Sequence, residues 1–393
     1  MGLIRATGQR AIQVREQYRL PVFYFLLLGA FAGWQSLYNV HLDGIGFSSM
    51  QIGILNAIFI SASALVVPFW GMLADRFGNN RVLLLLTSVC AAVVFLIGKT
   101  ELFPWMVFLI TVIAVFHQPG GAVVDGMAAG FVRGDPRFTF GQFRLWSSAG
   151  YAAAALAAGY MARQGTEVIF TFSAILFLLL SLFNIVTMPS TPVTGRNLVT
   201  FRSFAIFFRN TRLLMFLLII FFFGIASAPL MQFINLYYRD IGAGESLIGW
   251  VFFVQAIPEI PAFILGSKLT RRIGAARMIL LAMGVTMLRM FLYGFIVDPL
   301  LAMVFSVFHC VTIAFFLLGV VEYVQDRTPG HLRTTGQALI WAFYYGAGVA
   351  AGNISLGWLR DTAGMNGAML AHAAMALVIL LVSWLFFRYT NGR

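Results

Sequence analysis

Apolar runs of about 20 residues, the length that crosses a bilayer as a helix, recur from one end of the chain to the other. Their approximate bounds are 21–42, 50–73, 81–99, 103–130, 141–162, 167–188, 211–238, 246–268, 276–297, 299–324, 333–359 and 366–388. The pattern predicts an all-α membrane protein with twelve transmembrane helices. Spans 4 and 10 are long enough to tilt or protrude. Alternating polar and apolar strands of about ten residues, the mark of a membrane β-barrel, are absent from the sequence.

Polar punctuation then divides the chain. The least hydrophobic internal segment is "PSTPVTGRNLVTFRSFAIFFRNTR" (189–212), where Pro189, Pro192 and Gly195 break the preceding helix. Six spans lie on each side of it. The expected organisation is a cytoplasmic or interfacial segment 1–20, an N-terminal six-helix bundle 21–188, a cytoplasmic linker 189–210 and a C-terminal six-helix bundle 211–393. Within the linker, "FRSFAIFF" (201–208) fits a short helix lying on the membrane surface.

Composition agrees, since 60% of the 393 residues are hydrophobic and 10% charged, too few charges for the surface of a soluble chain this long. The net charge of +12 would suggest nucleic-acid binding in a soluble protein, but its distribution gives another reading. With the N-terminus inside, 20 of the 26 Lys and Arg fall in cytoplasmic segments, while Lys99, Arg163, Arg239 and Arg360 fall outside. The positive-inside rule therefore places both termini in the cytoplasm, as in a multi-pass protein of a bacterial inner membrane. The expected partner is the lipid bilayer and not nucleic acid, and the expected state is a monomer. The first 20 residues lead into span 1 without a cleavage site, so they read as a retained segment and not a signal peptide. Cys90 and Cys310 lie in apolar spans as small hydrophobes, giving no disulfide framework and no metal site. No cofactor is expected.

A loop recurs in the two halves. "GMLADRFGNNR" (71–81) follows span 2 and "GSKLTRRIGAAR" (266–277) follows span 8, with Gly71 and Gly266 separated by 195 residues. Such a loop calls for a small residue where a helix ends closely packed, a glycine for the reversal and cations at the cytoplasmic face. Gly71, Asp75, Arg76, Gly78 and Arg81 carry these roles, Asp75 as a cap or cross-pairing acid. This loop between two spans, repeated at half the chain length, resembles that of a major facilitator superfamily transporter, and the resemblance covers essentially the whole chain. It implies two six-helix bundles that alternate the opening of a central cavity, with a small-molecule substrate bound near the midplane.

Ionisable residues inside spans cost about 2.5–3.5 kcal/mol each at a helix centre, so they carry the functional argument. Glu259, Arg289 and His309 fall at similar depth in spans 8, 9 and 10. A Glu259–Arg289 pair is expected to offset their desolvation, with His309 as a switchable third member. Pro258 and Pro261 loosen the backbone around the acid. Asp125 in span 4 and Arg144 in span 5 also match in depth. The same groups read structurally would be fixed charge pairs that staple neighbouring helices. Gln35 and Tyr38 share one face of span 1. Gln255 lies one turn before Glu259, and Trp341 lies in span 11 beside Tyr344 and Tyr345.

Three strings sharpen the resemblance. "FGQFRLWSSAGY" (140–151), "EIPAFILGSKLTRRIGAARMILLAMGVTMLR" (259–289) and "HCVTIAFFLLGVVEYV" (309–324) are similar to spans 5, 8–9 and 10 of the lactose permease branch. Asp125, "RLW" (144–146) and "HC-x-T" (309–312) bring the chain nearer to the phenylpropionate permease-like relatives. The resemblance implies substrate contact by Asp125, Arg144 and Tyr151, and proton coupling through Glu259, Arg289 and His309. Thr312 stands where lactose permease carries its proton on a glutamate, which leaves Glu259 as the mid-depth carboxylate of the C-terminal half.

The resulting expectation is a proton-coupled uptake symporter for a sugar, nucleoside or aromatic acid. A drug–proton antiporter is a second transport reading, and a non-transporting membrane sensor on the same scaffold is the rival of another class. No nucleophile–base set, metal-ligand cluster or phosphate-cradling loop supports an enzyme.

Overall fold

Backbone N–H and C=O groups inside a bilayer must be satisfied within the chain, and the fold meets this by helices throughout. The computed structural model describes residues 2–135, 137–187, 210–328 and 333–391. The expected linker with its surface helix at 201–208 lies outside the described residues.

Six long helices come first: α1 (Gly2–Gly44), α2 (Ser49–Phe77), α3 (Asn79–Ile97), α4 (Phe103–Gly134), α5 (Phe140–Met161) and α6 (Val168–Thr187). The expected surface segment 1–20 is continuous with span 1 in a single helix that passes through Pro21. Then come α7 (Thr211–Gln232), α8 (Ile234–Asp240), α9 (Glu245–Ala256), α10 (Glu259–Ile273), α11 (Ala275–Tyr293) and α12 (Pro299–Ser306). A π-helical turn at Val311–Phe315 precedes α13 (Phe316–Arg327). A second π-helical stretch, Ala342–Val349, joins α14 (Arg333–Trp341) to α15 (Ala350–Asn391).

Local chemistry marks the ends. Thr139 and Gln142 form a reciprocal capping box at the start of α5. Asn210 accepts from the amides of Arg212 and Leu213 at the start of α7, and Asp298 accepts from Leu301 at the start of α12. Gly78 and Gly274 turn the chain at φ 91° and 86°, Gly46 and Gly242 at φ 94° and 88°; the same interval of 196 residues separates the members of each pair.

Ten helical stretches among the described residues are long and apolar enough to cross a membrane. The last, Thr335–Thr390, is 56 residues long and broken at Gly364, where φ is 72° and ψ 172°. At 1.5 Å per residue its length is more than twice a hydrocarbon core of about 30 Å. The 22-residue α5 is not among the ten, because small residues, Gln142 and Arg144 lower its hydropathy.

The chain divides into two compact units, Met1–Leu37 with Val66–Arg196, and Tyr38–Leu65 with Asn197–Arg393. In unit 1, α3 packs on α4 and α6, and the Thr87 and Ser181 hydroxyls meet at 2.7 Å. At Gly150 a Cβ would come within 2.1 Å of the Phe25 carbonyl oxygen, so glycine is what lets α5 cross α1 at backbone contact. In unit 2, α7 packs on α15 and on the Ala342–Val349 stretch, around a cluster of Phe223, Phe316 and Tyr344.

Candidate functional site

In unit 1 the buried end of the site begins with Tyr24 of α1, whose hydroxyl donates to Asp125 Oδ1 at 2.6 Å. Arg144 NH1 lies 3.7 Å from the same oxygen, and its guanidinium stands 5.9 Å over the Tyr24 ring. The Asp125 and Arg144 side chains are 41% and 49% exposed, although both sit in helical spans. This pair therefore faces open space and not the packed interior. The expected pairing from matched depth is present, and Tyr24 is a third member that sequence reasoning did not single out. Its signal was available: Tyr24, Phe31 and Tyr38 recur every seven residues along the face that includes Gln35.

Tyr151, the residue after Gly150, donates to Gln35 Oε1 at 3.3 Å and so joins α5 to α1 a second time. His117 is buried and stacks on Phe31 with ring centroids 4.5 Å apart.

In unit 2, Glu259 is the first residue of α10, after a break at Ile257–Pro258 that ends α9. Its carboxylate thus sits at a helix N-terminus, where unpaired amides favour negative charge. Span 10 is irregular as well, with α12 ending at Ser306 and the π-helical turn beginning at Val311. His309 lies in this irregular stretch, its Nε2 3.5 Å from Glu259 Oε1, with side chains 15% and 25% exposed.

The expected Glu259–Arg289 ion pair is not what forms. Among the described residues Glu259 lies within ion-pair distance of His309, whereas Arg289 NH1 donates to Thr312 Oγ1 at 3.2 Å and NH2 to the Tyr293 hydroxyl at 3.4 Å. The Arg289 guanidinium is buried, and its Nε has no hydrogen-bond partner among the described residues. Depth alone had matched the two charges. The side chains are instead sorted by Thr312, which lies one turn beyond His309 and offers Arg289 a hydroxyl while donating to the His309 carbonyl at 2.8 Å. Cys310 lies within electrostatic range of Glu259 and Arg289, and Tyr345 within that of Glu259. Tyr345 stacks on Trp341 at 4.8 Å, and Trp341 is half-exposed.

Gln255 and Tyr38, both expected to contact substrate, are buried, and the Gln255 amide nitrogen has no partner among the described residues. In the repeated loop, Asp75 and Arg76 end α2, Gly78 makes the reversal and Arg81 opens α3. Among the described residues the close packing expected at Gly71 is absent, since a Cβ there would meet nothing within 4 Å; at Gly266 it would come within 2.7 Å of Leu318. Among the described residues no group of three or more His, Cys, Asp or Glu is placed to hold a metal ion.

Comparison with known proteins bears on most of the chain. The family model described as MFS_1 like family matches residues 17–372. The transporter YwbF of Bacillus subtilis (strain 168) is 27% identical over 351 residues, covering 86% of this chain and 85% of its own length. A maltose permease of Geobacillus stearothermophilus is 25% identical over 379 residues, covering 92% of each chain. Among solved structures, the nucleoside transporter NupG shares the fold with a TM-score of 0.85 at 16% identity, over 95% of this chain and 99% of its own.

Proposed function

We propose that this chain, which belongs to the MFS_1 like family and is a major facilitator transporter and not an enzyme, works as a proton-coupled uptake symporter by alternating access. It crosses the membrane twelve times, as two bundles of six, with both termini and the linker in the cytoplasm of a bacterial inner-membrane protein. The observation that carries the coupling is the Glu259 carboxylate at 3.5 Å from His309, set in an apolar span at a helix break. A partly exposed acid with an imidazole partner and a nearby arginine can exchange partners when a proton arrives. Proton entry down a membrane potential supplies about 2.3 kcal/mol per charge per 100 mV.

The substrate is a net-neutral solute rich in hydroxyls, a sugar or a nucleoside. Asp125 and Arg144 supply balanced charge with bidentate hydrogen-bonding capacity, and Tyr151 and Trp341 supply aromatic faces. The maltose permease relative supports the same class.

The test is Glu259→Gln in proteoliposomes loaded against radiolabelled maltose and uridine. Concentrative uptake driven by a proton gradient is expected to vanish while exchange across the membrane persists. Accumulation that survives with its pH dependence intact refutes Glu259 as the proton carrier.

A further inference from the structure

The hairpin formed by the end of α1 and the start of α2 departs from the rest of those helices, since Tyr38–Leu65 belongs to unit 2. Asn39 Nδ2 donates there to the Asn235 side chain at 3.2 Å and Ser61 Oγ to the Gly346 carbonyl at 2.9 Å, and two further kinds of contact lie nearer the loop. The first is ionic. Arg360, near the Gly364 kink, is 11% exposed; its Nε and NH2 donate to the two carboxylate oxygens of Asp240 at 2.9 and 2.7 Å. Its NH1 donates to Asp43 Oδ1 at 2.8 Å and to Ser49 Oγ at 2.9 Å. The other Asp43 oxygen lies 3.5 Å from Arg239. Asp361 accepts from the backbone amides of Ser49 and Met50, both at 2.9 Å, and so caps α2 from a different helix.

The second kind is backbone against backbone at glycines. A Cβ on Gly357 would come within 2.4 Å of the Ser49 carbonyl oxygen, and a Cβ on Gly53 within 2.3 Å of the Asn353 carbonyl oxygen. Contacts of this kind have no interdigitated side chains to withdraw. Ion pairs at a loop end can be exchanged for water when the hairpin moves, and smooth glycine contacts let it slide without side chains to withdraw. The Phe216, Tyr323 and Phe387 cluster elsewhere in unit 2 has no such replacement.

We propose that Asp43, Arg239, Asp240, Arg360 and Asp361 form a releasable latch on the Tyr38–Leu65 hairpin. Docked, the hairpin shuts access to the Glu259 site from the membrane face that carries the loop at 45–48; released, it opens that route. The inference rests on the alternating-access reading above, under which that face is the outer one.

The test uses sidedness of labelling. In a Cys90→Ala background, Cys310 beside Glu259 reports the site, with Trp341→Cys as a second reporter. A membrane-impermeant maleimide is applied to right-side-out and to inside-out vesicles. With the latch closed in the wild type, the reporter cysteine is expected to react from the cytoplasmic face alone. Arg360→Gln and, separately, Asp43→Asn with Asp240→Asn are expected to react about tenfold faster from the outer face, the change that 1.4 kcal/mol produces. Glu245→Gln, a charge on the same loop face outside the cluster, is expected to leave the pattern unchanged. One-sided labelling in the wild type with both latch variants unaltered overturns the latch. So does aggregation of both variants on size exclusion, which would make the cluster a permanent staple. Wild-type labelling from both faces or from neither overturns the alternating-access reading instead.

Discussion

Replacing Thr312 by Val isolates the bond that separates Arg289 from Glu259. Valine keeps the volume and β-branching of threonine and removes the hydroxyl. The Arg289 guanidinium is 2% exposed and Thr312 is likewise 2% exposed, so water cannot stand in for the lost oxygen. What is left to Arg289 is the Tyr293 hydroxyl at 3.4 Å, a long bond, and the His309 carbonyl loses its 2.8 Å donor at the same time. A hydrogen bond to a charged group contributes about 1.5–3 kcal/mol, and this cation has little else to compensate it. For a unit of roughly 200 residues, each kcal/mol moves the midpoint by about 2–4 °C. Thermal unfolding in detergent, followed by tryptophan fluorescence, should therefore show Thr312→Val melting about 3–12 °C below the wild type. Thr312→Ser restores the hydroxyl and should recover most of the loss. A Val variant within a degree of the wild type, or a Ser variant as unstable as Val, refutes the assignment of Thr312 as the anchor of Arg289.

Gly150→Ala places a methyl on the Phe25 backbone and is expected to destabilise by about 1–3 kcal/mol, whereas Gly71→Ala, which meets nothing within 4 Å, should leave the melting temperature unchanged or raised. Equal melting of the two variants would contradict the crossing geometry of α1 and α5. Tyr24→Phe removes the 2.6 Å bond to Asp125, but that acid is 41% exposed and water can replace the hydroxyl. The expected result is near-wild-type melting, a loss of about 1 kcal/mol at most, with uptake of the transported solute impaired severalfold.

Much of the fold was legible because a membrane allows few solutions. Apolar length located the ten stretches among the described residues that can cross a membrane, though not α5, and Pro258 with Pro261 marked the break that puts Glu259 at the head of α10. The two π-helical stretches were not legible. "VTIAF" and "AFYYGAGV" contain no residue that demands a wider turn, so nothing in the pattern announces one. The ion pairs divide in the same way. Depth along the chain found Asp125 with Arg144, since two helices joined by a short loop fix that comparison. Depth misassigned Arg289, because the break before His309 sets how span 10 is rotated, and rotation decides which side chains meet. Tyr24 escaped notice because a tyrosine four residues into a span reads as an interfacial anchor.

The charged pairs at the loops and those inside the spans differ in geometry. Asp135 takes Arg137 Nε at 2.9 Å and NH2 at 2.6 Å, and Asp240 takes Arg360 by two nitrogens at 2.9 and 2.7 Å. These are two-point pairs of the strong kind, and both lie at loops. The acids inside the spans are held differently. Asp125 has a short bond from a tyrosine hydroxyl and its arginine at 3.7 Å; Glu259 has an imidazole at 3.5 Å while Arg289 is engaged by hydroxyls. In each case a group that can be exchanged occupies the acid, and the arginine stands nearby without a two-point grip on it. A permanent staple inside a membrane would gain most from the short bidentate form, since a half-satisfied charge there is costly. The single short bond from Tyr24 to Asp125 and the 3.7 Å spacing of its arginine, beside the two-point grip on Asp135, support the proposed partner exchange at Asp125.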